Sequence, residues 1–408
     1  MRFFYSLFIQ FYACLIKLAS FFSKKAKLWH SGRKNIFLFL EEKCADKENI
    51  IWFHCASLGE FEQGKPLMEK IKQEEKNVTL LVTFFSPSGF EVKKNDPVAE
   101  IITYLPVDTP KNAKKFIQIV KPQKVFFIKY EFWYNYMNEL SRFDIPFYYI
   151  SAIFRENQYF FKNYGAWFLK QLKKCSYFFV QNENSKILLQ QHEISNAIVT
   201  GDTRFDRVYT IAQQPYTLDF ISSFKAERKL LVAGSTWQPD EKLLVELFPK
   251  INPNYKLIIA PHQIEKSHIE QIKKQFSSFL TICFSEKEEK DISNAEILII
   301  DTIGLLSKIY KYADVSYIGG AFKTGLHNVL EAAVFEKPIF FGPHFQKFNE
   351  AVELVESGGA FSVKNAEEMT QKMCHLEKKT SFYDAVCEIC RKYVAQNLGA
   401  TDKIMSEL

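Results

Sequence analysis

The sequence predicts an α/β chain made of two doubly wound halves behind a hydrophobic N-terminal helix. Three observations carry that reading. The 408 residues are enough for two domains at roughly 100–200 residues each. Short apolar runs alternate with helical patterns, and the alternation restarts after Asp206. The runs end in small or polar residues, as strands of an open parallel sheet do where they meet a ligand. Apolar residues make up 47% and charged residues 25%, which excludes a disordered, collagen-like or disulfide-stapled chain. Phenylalanine is unusually frequent at 40 residues; isoleucine, lysine and asparagine are frequent too, so part of the bias reads as genomic. The net charge, 53 − 47 = +6, is too small to argue for a nucleic-acid partner, and none is expected. The eight cysteines are scattered and need no disulfide framework. Cys387-Glu388-Ile389-Cys390 lacks a second spaced pair and reads as one face of a C-terminal helix, not a metal site.

Phe3–Phe22 has about the length needed to cross a bilayer core. Its polar members Ser6, Gln10, Lys17 and Ser20 share one helical face with Ala13. Lys17 near the middle suits an interfacial helix as well as a spanning one. A cleaved signal peptide fits less well, because the segment is studded with aromatics and no small-x-small site follows. Lys24, Lys25, Lys27, Arg33 and Lys34 come next and favour the cytoplasmic side and anionic head groups. Residues 1–35 are therefore expected to attach the chain to a membrane surface, with the body on the cytoplasmic side.

In the first half the expected strands are 50–54, 78–83, 101–105, 124–128, 147–150 and 177–180. The first ends at Ala56-Ser57-Leu58-Gly59-Glu60, a turn leading into a helical pattern. In the second half they are 229–233, 255–260, 297–300, 315–318 and 338–341. Their ends carry Gly234-Ser235-Thr236, Pro261-His262, Asp301-Thr302, Gly319-Gly320 and Gly342-Pro343. The boundaries expected are 36–208 for the first domain and 209–408, with C-terminal helices, for the second. Gln213–Leu218 reads as the hinge.

The segment from Gly319 to Ala333 is the richest in chemistry. A strand ends at two glycines, a glycine loop follows, and a helix is expected to begin near His327 or Asn328. Free N–H groups there would suit a phosphate, with Lys323 and His327 adding positive charge. Asn328 and Glu331 are three apart, on one face of the first turn, where a carboxylate suits the two hydroxyls of a ribose. Ordinary strand-to-helix packing with a capping Asn is the competing reading. Glu60, just past a strand and near a helix start, is a candidate general base; an exposed capping glutamate is its plainer alternative.

Two doubly wound halves with a cleft between them describe the GT-B glycosyltransferase architecture. The glycine segment resembles the donor motif of the Kdo transferases, which add 3-deoxy-D-manno-octulosonic acid (Kdo) to lipid A precursors. Ala313-Asp314-Val315-Ser316-Tyr317-Ile318 precedes it in the same pattern, and Lys337-Pro338 and Gly342-Pro343-His344 follow. Asp301-Thr302-Ile303-Gly304 is similar to that family's aspartate-threonine-x-glycine turn, and Gly234-Ser235-Thr236 to its first donor-side loop. His54-Cys55-Ala56-Ser57-Leu58-Gly59-Glu60 resembles its acceptor signature, which ends in the catalytic glutamate, and Tyr130-Glu131-Phe132-Trp133 its second acidic motif. Thr83–Gly89, Leu105–Asp108 and Thr200–Asp206 also match, so the likeness runs in order from about residue 50 to 350.

The resemblance implies inverting transfer of Kdo from CMP-Kdo to a lipid A precursor at the cytoplasmic face of the inner membrane. Glu60 would take the acceptor proton and Glu131 would orient a reacting group. Ser235, Thr236, His262, Gly304, Gly320, Lys323, His327, Asn328 and Glu331 would form the donor site. No cofactor and no catalytic metal are expected, since no Asp-x-Asp pair is present. The sequence departs from the family at Lys129, where a glutamate is usual, at His262 in an arginine's place, and at Leu305 in a glutamate's. Ser151-Ala152-Ile153 lacks an arginine that Arg155 would replace. A donor other than CMP-Kdo, such as a UDP-sugar, and an inactive membrane-bound binding module are the alternatives.

Overall fold

A computed structural model describes residues 1–323 and 325–408; Thr324, in the glycine loop, lies outside the described residues. The chain divides into two compact units, Met1–Arg207 with Leu398–Leu408, and Val208–Asn397. Among the described residues, each unit is built on a seven-stranded sheet whose paired strands are all parallel.

The first sheet contains β1 (Ile50–Cys55), β2 (Thr79–Phe84), β3 (Ile101–Tyr104), β4 (Lys124–Ile128), β5 (Phe147–Ala152), β6 (Tyr177–Val180) and β7 (Ala197–Val199). Their order is β3-β2-β1-β4-β5-β6-β7. The chain winds outward from β1 one way and from β4 the other, so the topological switch lies between those two strands. The strands are apolar almost throughout because helices cover both faces. The excess phenylalanine has a structural use here. On one face Phe53 lies 4.8 Å from Phe126, and Phe126 lies 5.2 Å from Tyr148, ring to ring across neighbouring strands. On the other, Phe127, Tyr149 and Phe178 stack at 5.4 and 5.3 Å. Such cross-strand aromatic pairs add to plain area burial.

The second sheet contains β8 (Lys229–Thr236), β9 (Tyr255–Pro261), β10 (Thr281–Cys283), β11 (Ile297–Ile299), β12 (Val315–Ile318), β13 (Ile339–Phe341) and β14 (Ala360–Ser362). Their order is β10-β11-β9-β8-β12-β13-β14, with the switch between β8 and β12. Its core is mainly aliphatic, led by Leu231, Leu257, Ile259, Ile297 and Leu244.

Three strands were not foreseen: β7, β10 and β14. Each has three residues and each is a sheet edge, too short to show a pattern of its own. The end of the chain also differs from expectation. The helix Ala400–Met405 belongs to the first unit, where the Asp206 carboxylate accepts hydrogen bonds from the Gly399 and Thr401 amides at 2.8 and 2.7 Å. The expected hinge is bonded within the second unit: Tyr216 donates to the Lys308 carbonyl and the Leu218 amide to the Tyr312 hydroxyl. The division falls instead inside the helix Thr203–Gln213.

The N-terminal helix is Arg2–Ala19, long and apolar enough to cross a membrane by length and composition. One edge of it is docked on the first unit. Ser6 is buried and accepts from Asn135 Nδ2, and the Tyr5 hydroxyl donates to Asp108 at 2.6 Å. Asp108 also caps the helix Tyr134–Arg142 through the Asn135 and Tyr136 amides, and burial pushes its pKa up to about 6. The opposite side exposes Phe3, Phe4, Leu7, Phe8, Phe11, Leu15 and Leu18. The expected polar face is only partly the docked one, since Gln10 and Lys17 are exposed. Arg33, read as part of a basic surface cluster, is instead tucked in. Its guanidinium donates to the Leu105, Trp29 and Phe85 carbonyls and lies 3.9 Å from the centre of the Trp29 ring.

Candidate functional site

In the first unit, chemistry gathers at the C-terminal ends of β1 and β4, on either side of the switch. β1 ends at Cys55, and the helix Leu58–Glu74 begins three residues later. Glu60 lies in its first turn, so its carboxylate can reach back to the free amides there. Oε2 accepts from the Ala56 and Ser57 N–H groups at 2.5 and 3.1 Å. Those bonds and Lys129 favour the charged form, but burial and the neighbouring Glu131 outweigh them and raise the Glu60 pKa to about 8. The side chain is not sealed off; the residue remains partly exposed.

Glu131 follows β4 and is 8% exposed. Its Oε2 lies 3.0 Å from His54 Nε2 and accepts the Trp133 indole N–H at 2.8 Å. The backbone turns into this position through Lys129, which takes the left-handed region at φ +64°. A side chain there costs energy that glycine would not. The sheet thus brings together Glu60 and Glu131, 71 residues apart in sequence. It also brings in His54 and Trp133, both of which the motifs contain.

In the second unit the matching place is the ends of β8 and β12. Ser235 sits at φ +54°, and a Cβ on Gly319 would overlap its carbonyl oxygen, so only glycine lets the two strand ends approach this closely. Gly320 has φ +97°, and its N–H donates to Asp240 Oδ2 at 2.9 Å. The same carboxylate accepts the Trp237 amide and the Tyr317 hydroxyl, at 2.9 and 2.8 Å, fastening the loop to the start of the helix Gln238–Ile251. The Lys323 and Gly325 amides bond to the Gly320 carbonyl, and the His327 amide bonds to the Gly319 carbonyl.

These bonds correct the expected phosphate site. The helix does not begin near 327; it runs only Leu330–Ala333. The loop takes up the residues before it, and its amides at Gly320, Lys323, Gly325 and His327 are already bonded within the protein. One helical turn carries little dipole. Among the described residues, those four amides are not open to an anion. Lys323 is exposed and available as a point charge.

His327 is not the cation expected of it. An indole N–H can only donate, and the Trp237 Nε1–H meets His327 Nε2 at 3.1 Å, so that nitrogen carries no proton. Burial and the nearby His262 lower the His327 pKa to about 4. His262 stacks on both rings, 4.5 Å from Trp237 and 4.6 Å from His327. His327 therefore offers a neutral Nδ1–H. Thr236 is fully buried, with its hydroxyl on Glu241, so its side chain serves the scaffold. Asn328 donates to Glu331 Oε1 at 3.3 Å, which joins the two residues expected at a ribose. Gly304, at φ +94°, lies past β11, two strands away from β8, and no described contact ties it to the loop. Trp237, Asp240 and Glu241 were missed in the sequence. The pattern of an acidic residue three positions after a strand-ending turn could have found Asp240.

Comparison with known proteins bears on family and fold. Residues 31–207 match the family described as 3-deoxy-D-manno-octulosonic-acid transferase (kdotransferase). The 3-deoxy-D-manno-octulosonic acid transferase of Aquifex aeolicus is 26% identical over 344 residues, covering 83% of this chain and 89% of the relative. That of Rickettsia felis is 26% identical over 372 residues, covering 88% and 78%. Among solved structures, a UDP-GlcNAc 2-epimerase from Neisseria meningitidis superposes with a TM-score of 0.61 at 14% identity, covering 88% of this chain and 98% of its own. A glycosyltransferase from Rickettsia africae gives 0.60 at 14% identity, covering 88% and 97%. These neighbours establish the two-sheet GT-B-like fold. The likeness to Kdo transferases covers about four fifths of the chain and supports a glycosyltransferase.

Proposed function

We propose that the chain transfers Kdo from CMP-Kdo to a lipid A precursor with inversion at the sugar carbon. The observation that carries the reading is the pair Glu60 and Glu131: two carboxylates at one switch point, with the proton affinity of Glu60 raised to about 8. Glu60 takes the proton of the acceptor hydroxyl. The freed oxygen attacks the anomeric carbon of Kdo, and the bond from that carbon to the CMP phosphate oxygen breaks. CMP leaves with the electron pair, and the proton stays on Glu60. In the second unit Lys323 and the neutral His327 Nδ1–H face the departing phosphate, and Asn328 with Glu331 holds the ribose hydroxyls.

The acceptor is an acylated anion, and the N-terminal helix suits its surface. A helix docked along the first unit through Tyr5 and Ser6 lies in the membrane interface, apolar side down, and does not cross the bilayer. Lys24, Lys25 and Lys27 add attraction to anionic head groups.

The test is transfer itself. Detergent-solubilised protein is incubated with fresh CMP-Kdo and tetra-acylated lipid A precursor, with chelator present, and the lipid is weighed by mass spectrometry. A product heavier by one or more Kdo units is expected. An unchanged lipid, with folded protein and a working control enzyme, overturns the assignment of donor and acceptor.

A further inference from the structure

His54 has no exposed surface, yet both ring nitrogens are engaged. Nδ1 lies 2.8 Å from Thr83 Oγ1, and Nε2 lies 3.0 Å from Glu131 Oε2. The Trp52 indole N–H donates to Thr83 Oγ1 at 2.7 Å, so that oxygen accepts from one side. Its own proton has two places to go: the Phe53 carbonyl at 3.4 Å, or His54 Nδ1 at 2.8 Å. Oγ1 keeps a second lone pair, so the direction of the 2.8 Å contact is what fixes the His54 tautomer. With Thr83 as the donor, Nδ1 accepts and the His54 proton sits on Nε2, aimed at Glu131. The donors then run in one direction, from Trp52 to Thr83 to His54 to Glu131.

We propose that His54 is a positioning residue for the transfer: its fixed Nε2–H holds Glu131 ionised, and so assigns the exchangeable proton of the carboxylate pair to Glu60. This rests on the reading of Glu60 as the base. The balance is close, because each carboxylate has two N–H donors on Oε2: Ala56 and Ser57 for Glu60, His54 and Trp133 for Glu131. Removing one donor from Glu131 therefore moves the proton. The other charged groups nearby do not decide the matter. Lys129 favours the ionised form of Glu60. The Cys55 thiol is buried and neutral. Glu62 is already paired with Lys93 and Arg207 at 2.7 and 2.6 Å.

The experiment has two arms. The first is the pH profile of kcat/KM for lipid transfer in wild type, His54→Leu, His54→Gln and Thr83→Val. Loss of the donor lets Glu131 hold the proton, so Glu60 is ionised at lower pH. The acid limb should move down by about one pH unit in His54→Leu. His54→Gln, whose amide N–H stands near the place of Nε2, should restore the wild-type limb. Thr83→Val keeps the shape and removes only the proton source for Nδ1; its limb should move less, in the same direction. Lower rates with an unmoved limb in folded His54→Leu overturn the proposal and leave His54 a packing residue. The second arm needs no transfer. In protein labelled with 15N-histidine, the His54 signal, assigned by its loss in His54→Gln, should show Nε2 protonated and Nδ1 bare from about pH 6 to 8.5. A proton on Nδ1 over that range overturns the proposal. If no lipid product forms but the tautomer is as stated, the substrate assignment has failed and the directed donor chain has not.

Discussion

The two sheets share a plan and put opposite chemistry at the same place in it. At the first switch point, between β1 and β4, negative charge is crowded: Glu131 is buried beside Glu60 and raises its proton affinity. At the second, between β8 and β12, two acidic groups are bonded within the scaffold. Asp240 accepts two amides and a hydroxyl, and Glu241 accepts Thr236 and pairs with His268 at 3.0 Å. Near them lie exposed Lys323, half-buried His327 and the Asn328–Glu331 pair. On the proposed reading, the strand ends serve as a proton acceptor in one half and an anion seat in the other. The backbone is the same in kind; the difference is that the first site sets two carboxylates against each other.

The comparison breaks first at Glu60. Glu60→Gln keeps the bonds that shape the turn and loses the base, so transfer should fall by about 10²–10⁴ while the protein stays folded. Retained transfer in this variant removes the proposed base. In wild type the rate should climb with pH and level off above about 8, where Glu60 is ionised in the folded protein. The same shift has a stability consequence. The folded pKa lies above the ordinary carboxylate value, so the folded state holds the proton more tightly and stability falls as pH rises from there to about 8. Glu60→Gln should therefore melt higher than wild type at high pH, by roughly 1–3 kcal/mol of stability, with no gain near pH 4. Thermal melts at the two pH values check it.

The second half is sharpened by Gly320→Ala. Its φ of +97° is costly for alanine, and the added carbon would overlap the Gly325 carbonyl oxygen. We expect a loss of about 1–3 kcal/mol and at least a tenfold rise in donor KM, read by melts and by initial rates. Glu331→Ala should raise donor KM by about tenfold with kcat little changed at saturating donor; full activity at low donor removes the ribose role. Lys323→Ala acts through an exposed charge, so its effect on donor binding should be a fewfold at most and should fade as salt is raised. A larger, salt-independent effect would mean that Lys323 is enclosed when donor binds. Outside both sites, Phe8→Glu with Phe11→Glu should release the protein from anionic vesicles in flotation and leave the fold intact, since both side chains are exposed.

The sites were legible in unequal measure. The strand-turn-helix at Ala56–Glu60 was readable because consecutive residues build it, and the structure puts Glu60 where that pattern said. The Asn328–Glu331 pair was readable for the same reason, although the helix around it shrank to Leu330–Ala333. His327 was misread as a cation because its neighbour Trp237 is 90 residues away in the chain. Thr236 was misread as a ligand because its partner Glu241 lies on the next helix and turns the hydroxyl inward. The abundance of phenylalanine was visible as a number, but the cross-strand stacks that use it depend on register.

The central strands and the two windings followed from the sequence alone, because apolar runs of strand length, ending at glycine or small polar residues, are local signals. So did the motifs and the glycosyltransferase reading they support. Only the tertiary structure decided which polar atoms meet across strands. It put Glu131 beside Glu60, aimed His54 at Glu131, turned Asp240 toward Gly320, held His327 neutral under Trp237 and pinned the N-terminal helix by Tyr5 to Asp108. Protonation state and exposure are properties of contacts between distant residues, and no local pattern encodes them.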